Sequence, residues 1–186
     1  MEHSRDVIAE LAGDHREALA LFARMQALTS GDKARKHLLD EVTIGLVRHA
    51  VAEEEYLYPA VREGIAHGDV LADKELADHI RVEGLLKDLQ RRTADDAAFD
   101  RLVDDLIDEV SAHIRDEEQR VFVLLRQACP PEALRELGEK VRKAKKTAPT
   151  RPHPGAPVMP PANKLLAAGL GLVDRARDAL TGRGRS

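Results

Sequence analysis

The sequence predicts an all-α protein: an up-down-up-down four-helix bundle with a Pro-rich basic linker and a C-terminal amphipathic helix. Three observations predict it. Aromatic residues are only 3% of the 186 and Trp is absent, so the core must come mostly from Leu, Val, Ile and Ala, which favours helices over sheets. Apolar residues recur at helical spacing along four long segments joined by short polar links. Hydrophobic residues at 43% against charged residues at 33% mark a globular rather than a disordered chain.

The first helix is expected from about Arg5 to Leu28, with Val7, Ile8, Leu11, Leu19 and Phe22 on one face. "TSGD" (Thr29 to Asp32) ends it. The second runs from Lys33 to about Glu63 along Leu38, Val42, Leu46, Leu57 and Val61. Pro59, which lacks an N–H donor, should kink or break it. "HGDV" (His67 to Val70) precedes a third helix reaching about Arg92, and "TADD" (Thr93 to Asp96) links it to a fourth ending near Ala128.

Residues 1–128 are thus assigned to the bundle and 129–146 to a short fifth helix with Pro131 near its start. Residues 147–162 read as the basic linker and 163–186 as the terminal helix and tail. Lys140 to Arg151 holds six Lys or Arg and no acid, and six of the nine prolines lie between Pro149 and Pro161. That composition describes a solvated linker. Leu166, Leu170, Val173 and Leu180 give the last helix an apolar face, for docking on the bundle, on a partner protein or on a membrane surface.

Composition also narrows the function. A net charge of −4 is too mild to indicate nucleic-acid binding. The single cysteine, Cys129, excludes an internal disulfide and a thiolate metal cage. No run of about 18 apolar residues predicts a transmembrane segment. The opening "MEHSRDVIAE" has no signal-peptide pattern, so a cytoplasmic location is expected.

His-x-x-x-Glu occurs four times, at His37/Glu41, His49/Glu53, His79/Glu83 and His113/Glu117. Longer spacings separate these pairs. His15 precedes His49 by 34 positions, as His79 precedes His113, and His79, His113 and Glu117 each follow His15, His49 and Glu53 by 64. The chain therefore reads as two helical hairpins with the same polar pattern. His37 fails this test because position 101 is Arg, and it lies roughly 18 Å along the helix from His49. It is expected at the surface with Glu41.

The six repeated residues interrupt apolar stripes and are expected to be buried. Buried carboxylates protonate, pair or bind a metal; the alternative is a His–Glu hydrogen-bond network within the bundle. Imidazole and carboxylate suit iron, with manganese or zinc as alternatives. Two carboxylate bridges and four imidazoles would hold two ions about 3.5–4 Å apart and leave coordination positions open. Glu54, Glu55 and Glu118 step off the stripe toward water, with a ligand role for Glu54 as the alternative. Tyr56, three residues after Glu53, is expected on nearly the same face, either bonded to a metal-bound group, ligating, or simply packed. Tyr58 corresponds to Phe122, which suggests that its ring matters more than its hydroxyl.

The set His15, His49-x-x-x-Glu53, His79, His113-x-x-x-Glu117 resembles the haemerythrin-like HHE cation-binding family over about residues 5–128. The resemblance implies a four-helix bundle with a non-haem di-iron site, bridged by Glu53 and Glu117. His15 and His49 would bind one iron, His79 and His113 the other. Dioxygen-carrying members have a fifth histidine where this chain has Glu83, and the matching position in the first repeat is Leu19. Glu83 is left as a further ligand, as a hydrogen-bond acceptor for His79, or as a solvated side chain. The expected function is binding or reduction of a small oxidant such as dioxygen, peroxide or nitric oxide. A sensor that signals to a protein partner through the C-terminal helix is the alternative, and whether the protein turns substrate over is left open.

Overall fold

The computed structural model describes residues 6–157 and 162–183. The expected helix start at Arg5, linker residues 158–161 and tail residues 184–186 lie outside them. Among the described residues every regular element is helical: α1 (Val7–Gln26), α2 (Lys33–Ala52), α3 (Tyr58–Gly64), α4 (Gly68–Gln90), α5 (Phe99–Asp116), α6 (Phe122–Ala128), α7 (Pro131–Thr147) and α8 (Ala162–Thr181). A π-helical turn, Glu53–Leu57, joins α2 to α3, and a second, Glu117–Val121, joins α5 to α6. Asp6 and Asp32 cap α1 and α2 by accepting the N–H groups of Ala9 and Ala34, each at 2.8 Å. Pro131 opens α7, where its missing donor costs nothing.

α1 packs along α2, α4 along α3 and α5, and α7 covers α1 and α2. The apolar stripes bury two separate clusters. One gathers Val7, Leu11, Leu57, Val61, Leu71 and Leu125, and the other Phe22, Met25, Leu39, Leu89, Phe99 and Leu106. Along α1 and α4 the change from one cluster to the other falls at His15 and His79. The polar residues therefore form a layer between two apolar plugs, which fix the helices on either side of it.

The C-terminal segment departs from expectation. Residues 148–157 are non-helical, yet Ala148 and Thr150 are buried. Their neighbourhood explains why. The N–H groups of Thr150 and Arg151 donate to Asp174 Oδ2 at 3.1 Å, and that of His153 donates to Glu83 Oε1 at 2.7 Å. The basic side chains meet acids as well: Arg151 meets Asp178 at 2.6 Å, and Lys145 meets Asp14 at 2.6 Å and Glu10 at 2.9 Å. A solvated linker is the wrong description of these residues, because several of their donors bond to acceptors of the protein itself.

Helix α8 docks on this same chain, though not by its apolar face. Asp174, Asp178, Asn163 and Ala167 are buried, while Leu166, Val173 and Leu180 are largely exposed. A polar anchor of carboxylates onto backbone donors outweighs the leucine periodicity here. Gly171 permits the close approach, since a Cβ there would lie 2.1 Å from Thr147 O. Gly171→Ala should therefore loosen α8 and raise its rate of tryptic cleavage several-fold, with residues 6–128 unaffected; equal cleavage of both proteins would contradict this docking.

Candidate metal centre

Four helices supply one histidine each to the polar layer: His15 from α1, His49 from α2, His79 from α4 and His113 from α5. Glu53 and Glu117 stand at the first positions of the two π-helical turns. All six are buried, and both glutamates are completely so. Every Nε2 turns inward. His49 Nε2 is 3.1 Å from Glu53 Oε1 and His79 Nε2 is 3.3 Å from Glu53 Oε2. His15 Nε2 and His113 Nε2 lie 3.4 and 3.5 Å from Glu117 Oε2. The His15–His49 and His79–His113 ring pairs repeat each other, each edge-to-face at 4.9 Å.

The π-helical turns decide what else reaches the site. The N–H of Tyr58 donates to Glu53 O and that of Phe122 to Glu117 O, five residues back in each case. The additional residue in the turn shifts all later side chains around the helix. Tyr58, not Tyr56, consequently enters the polar layer. Its hydroxyl donates to Glu117 Oε1 at 3.0 Å and lies 3.0 Å from His79 Nε2. The expectation that its ring matters more than its hydroxyl is overturned. Tyr56 is half-buried and carries the Lys164 ammonium 4.1 Å above its ring. Phe122 stacks on His15 at 5.7 Å. Pro59 is not the required cause of the turn, because its counterpart is Val123 and the turn forms there too.

Glu54 and Glu55 differ from the expected solvated face, whereas Glu118 is exposed as expected. Glu54 and Glu55 are buried, and Glu54 accepts from His79 Nδ1 at 3.0 Å. Glu118 accepts from His15 Nδ1 at 2.9 Å. Asp14 accepts from His49 Nδ1 at 3.1 Å, and Glu75 Oε2 contacts His113 Nδ1 at 2.8 Å with Asp78 at 3.6 Å. Each imidazole thus presents Nε2 to the centre and Nδ1 to an outer carboxylate, an orientation that makes imidazole a better metal ligand. Two lysines close this outer ring. Lys145 of α7 holds Asp14 at 2.6 Å, and Lys74 holds Asp78 and Asp116 at 2.8 Å each. The repeat carried a legible trace of this ring, for Asp14 and Asp78, like Glu54 and Glu118, are 64 positions apart. Glu75 and the lysines had no such trace.

Without a cation, protons balance these charges. Burial alone would lower an imidazole's proton affinity, but Glu53 and Asp14 reverse this for His49 and push it up to about 10. Glu53 and Glu54 likewise push His79 up to about 10, and Glu117 with Asp78 and Glu75 pushes His113 up to about 9. Burial, then the Glu117 and Glu53 charges, raises the Tyr58 phenol well above its ordinary range. Burial also raises the Glu54 and Glu75 carboxyls.

A cavity of about 580 Å³ adjoins the layer, and all four histidines line it with Leu46, Val82 and Leu86. Pro149, His153, Leu166 and Leu170 of the C-terminal segment form its opposite wall. Glu83 lines the cavity and its Oε1 accepts the His153 N–H, while the acceptor for His79 Nδ1 is Glu54. His37 is exposed as expected, although the nearest cation to Glu41 is Arg24 at 3.9 Å.

The donor set fits a cation. His15 Nε2, Glu53 Oε1, His113 Nε2 and Glu117 Oε2 are buried and have no hydrogen bond among the described residues. They lie 3.1–3.5 Å from one another's partners but are misaligned for hydrogen bonding, as groups aimed at a common point would be. Donor atoms of His15, His49, Glu53 and Glu117 fall within 4.8 Å of one another, as do those of Glu53, His79 and His113.

A helical protein with buried imidazoles and carboxylates converging in this way belongs to the class built to bind cations. The chain is a member of the hemerythrin HHE cation-binding domain family, whose model matches residues 6–125. It is 26% identical over 168 residues to a hemerythrin-like protein of Schizosaccharomyces pombe, covering 90% of this chain and 82% of that one. A DNA nickase of Nostoc sp. is 29% identical over 133 residues, 71% of this chain but only 37% of the nickase. The crystal structure of a hemerythrin HHE cation-binding-domain protein from Mycobacterium kansasii superposes with a TM-score of 0.67 at 22% identity, covering 76% of this chain and 86% of that one. Among the described residues no helix is long and apolar enough to cross a membrane.

Proposed function

We propose that the chain holds two iron ions in a four-helix bundle and binds or reduces a small oxidant there. His15 and His49 would hold one ion, His79 and His113 the other, with Glu53 and Glu117 between them. The inward convergence of four Nε2 atoms on two buried glutamates carries this reading. Imidazole and carboxylate without thiolate suit iron, with manganese or zinc as the competing occupants. When bound, iron supplies the electron transfer and Lewis acidity that oxidant chemistry needs. The protein's own part is to aim the imidazoles through their outer carboxylates, to exclude bulk water with two apolar plugs, and to hold the Tyr58 proton at the centre. The cavity beside the histidines has room for a dioxygen- or peroxide-sized molecule.

Metal analysis and absorption spectra of the wild type beside His113→Ala and Glu117→Ala test this reading. Wild type should carry about two irons per chain, and each variant should lose most of its metal and of the iron absorption. Full retention in both variants would refute the shared site.

One observation favours a sensor as the second reading. Lys145 of α7 binds Asp14, which holds His49, so the segment beyond the family domain touches the centre through one carboxylate. In that case metal loading should change the tryptic cleavage rate of α8. An unchanged rate would leave only the oxidant-binding reading.

A further inference from the structure

Glu75 breaks the internal symmetry of the centre. Sixty-four positions earlier stands Leu11, which fills an apolar cluster. Glu75 is 0% exposed and sits one helical turn before His79 on α4. Neither of its carboxylate oxygens has a hydrogen bond among the described residues, although Oε2 comes within 2.8 Å of His113 Nδ1. The cation beside it, Lys74 at 3.2 Å, is shared with Asp78 and Asp116. A buried carboxylate with no aligned donor is costly, and the first repeat demonstrates that leucine fits the equivalent place. An acid kept there adds a negative charge behind His113 that a cation held by that imidazole would balance.

The donor sets say which cation position it serves. On the His15–His49 side, one set of four already includes both Glu53 and Glu117. On the other side the donors fall into two sets of three, Glu53–His79–His113 and Glu75–His113–Glu117. Glu75 is the member that has no counterpart in the first repeat, where Leu11 stands. Resting on the two-metal reading above, we propose that Glu75 makes the two positions unequal, so that the ion beside His79 and His113 binds first and more tightly.

The test is a calorimetric titration of the metal-free full-length protein with Co(II) alone, followed by its visible absorption. The wild type should take up two ions in steps whose dissociation constants differ tenfold or more. Glu75→Leu, which installs the residue found at the matching position, should weaken the tighter step at least tenfold and merge the two. Glu75→Gln, which keeps the shape and removes the charge, should do the same. Circular dichroism checks that each variant is folded, and His15→Ala should abolish the weaker step only. Two equal sites in the wild type, or isotherms unchanged by both Glu75 variants, would overturn the proposal while leaving the two-metal reading intact. No uptake of Co(II) by the wild type would overturn both.

Discussion

Metal-free protein should lose stability as the pH is raised from 7 to 10. Its folded state holds protons on His49 and His79 up to about 10 and on His113 up to about 9. An unfolded histidine releases its proton near pH 6.5. These groups therefore contribute stability that is fully present below about pH 6.5 and is lost as pH rises through 9–10. A single group moved by about 3 units contributes ~4 kcal/mol, so the combined loss should be on the order of several kcal/mol. Urea unfolding of chelator-treated protein at pH 7 and pH 10 measures it, and an equal or higher midpoint at pH 10 would contradict the charge balance described. Metal binding must run the other way. A cation replaces the imidazole protons, so apparent affinity should climb about tenfold per pH unit for each proton displaced.

Tyr58→Phe should be far more damaging than Tyr56→Phe. The Tyr58 hydroxyl is buried between His79 and Glu117. Loss of a buried hydrogen bond to charged groups costs about 1.5–3 kcal/mol. Tyr58→Phe should lower the stability of metal-free protein by that amount and change metal affinity roughly 10- to 100-fold, as loss of an outer partner of a metal ligand does. Tyr56→Phe keeps the ring beneath Lys164 and should stay within about 0.5 kcal/mol of the wild type. Equal effects of the two substitutions, in unfolding and in metal titration, would mean that the helix register described at Glu53–Leu57 is wrong.

Much of the candidate centre is legible in the sequence alone. Helical periodicity located the long helices to within a few residues, and the constant offset of 64 separated His15, His49, Glu53, His79, His113 and Glu117 from the surface pair His37/Glu41. The same offset, applied to acids beside the histidines, would also have pointed to Asp14 with Asp78 and Glu54 with Glu118. The errors at the centre lie in the first π-helical turn and just past it. Arithmetic at 3.6 residues per turn brings Tyr56 toward the site and sends Glu54 to water, whereas one added residue exchanges those positions. No residue type in the sequence announces that turn, since Pro59 has Val123 as its counterpart.

By itself the sequence determined an all-helical chain with two related halves and an unusual set of buried acids and imidazoles. Local spacing suffices for that, because helix period and repeat offset are properties of the chain alone. Only the tertiary structure decided that Tyr58 reaches the polar layer, that Glu75 is buried between His113 and Lys74, and that Lys145 and Glu83 tie the C-terminal segment to the helices. These depend on groups distant in sequence finding charge partners across a packed interior. The strength of those contacts comes from exclusion of water, which only the assembled fold supplies.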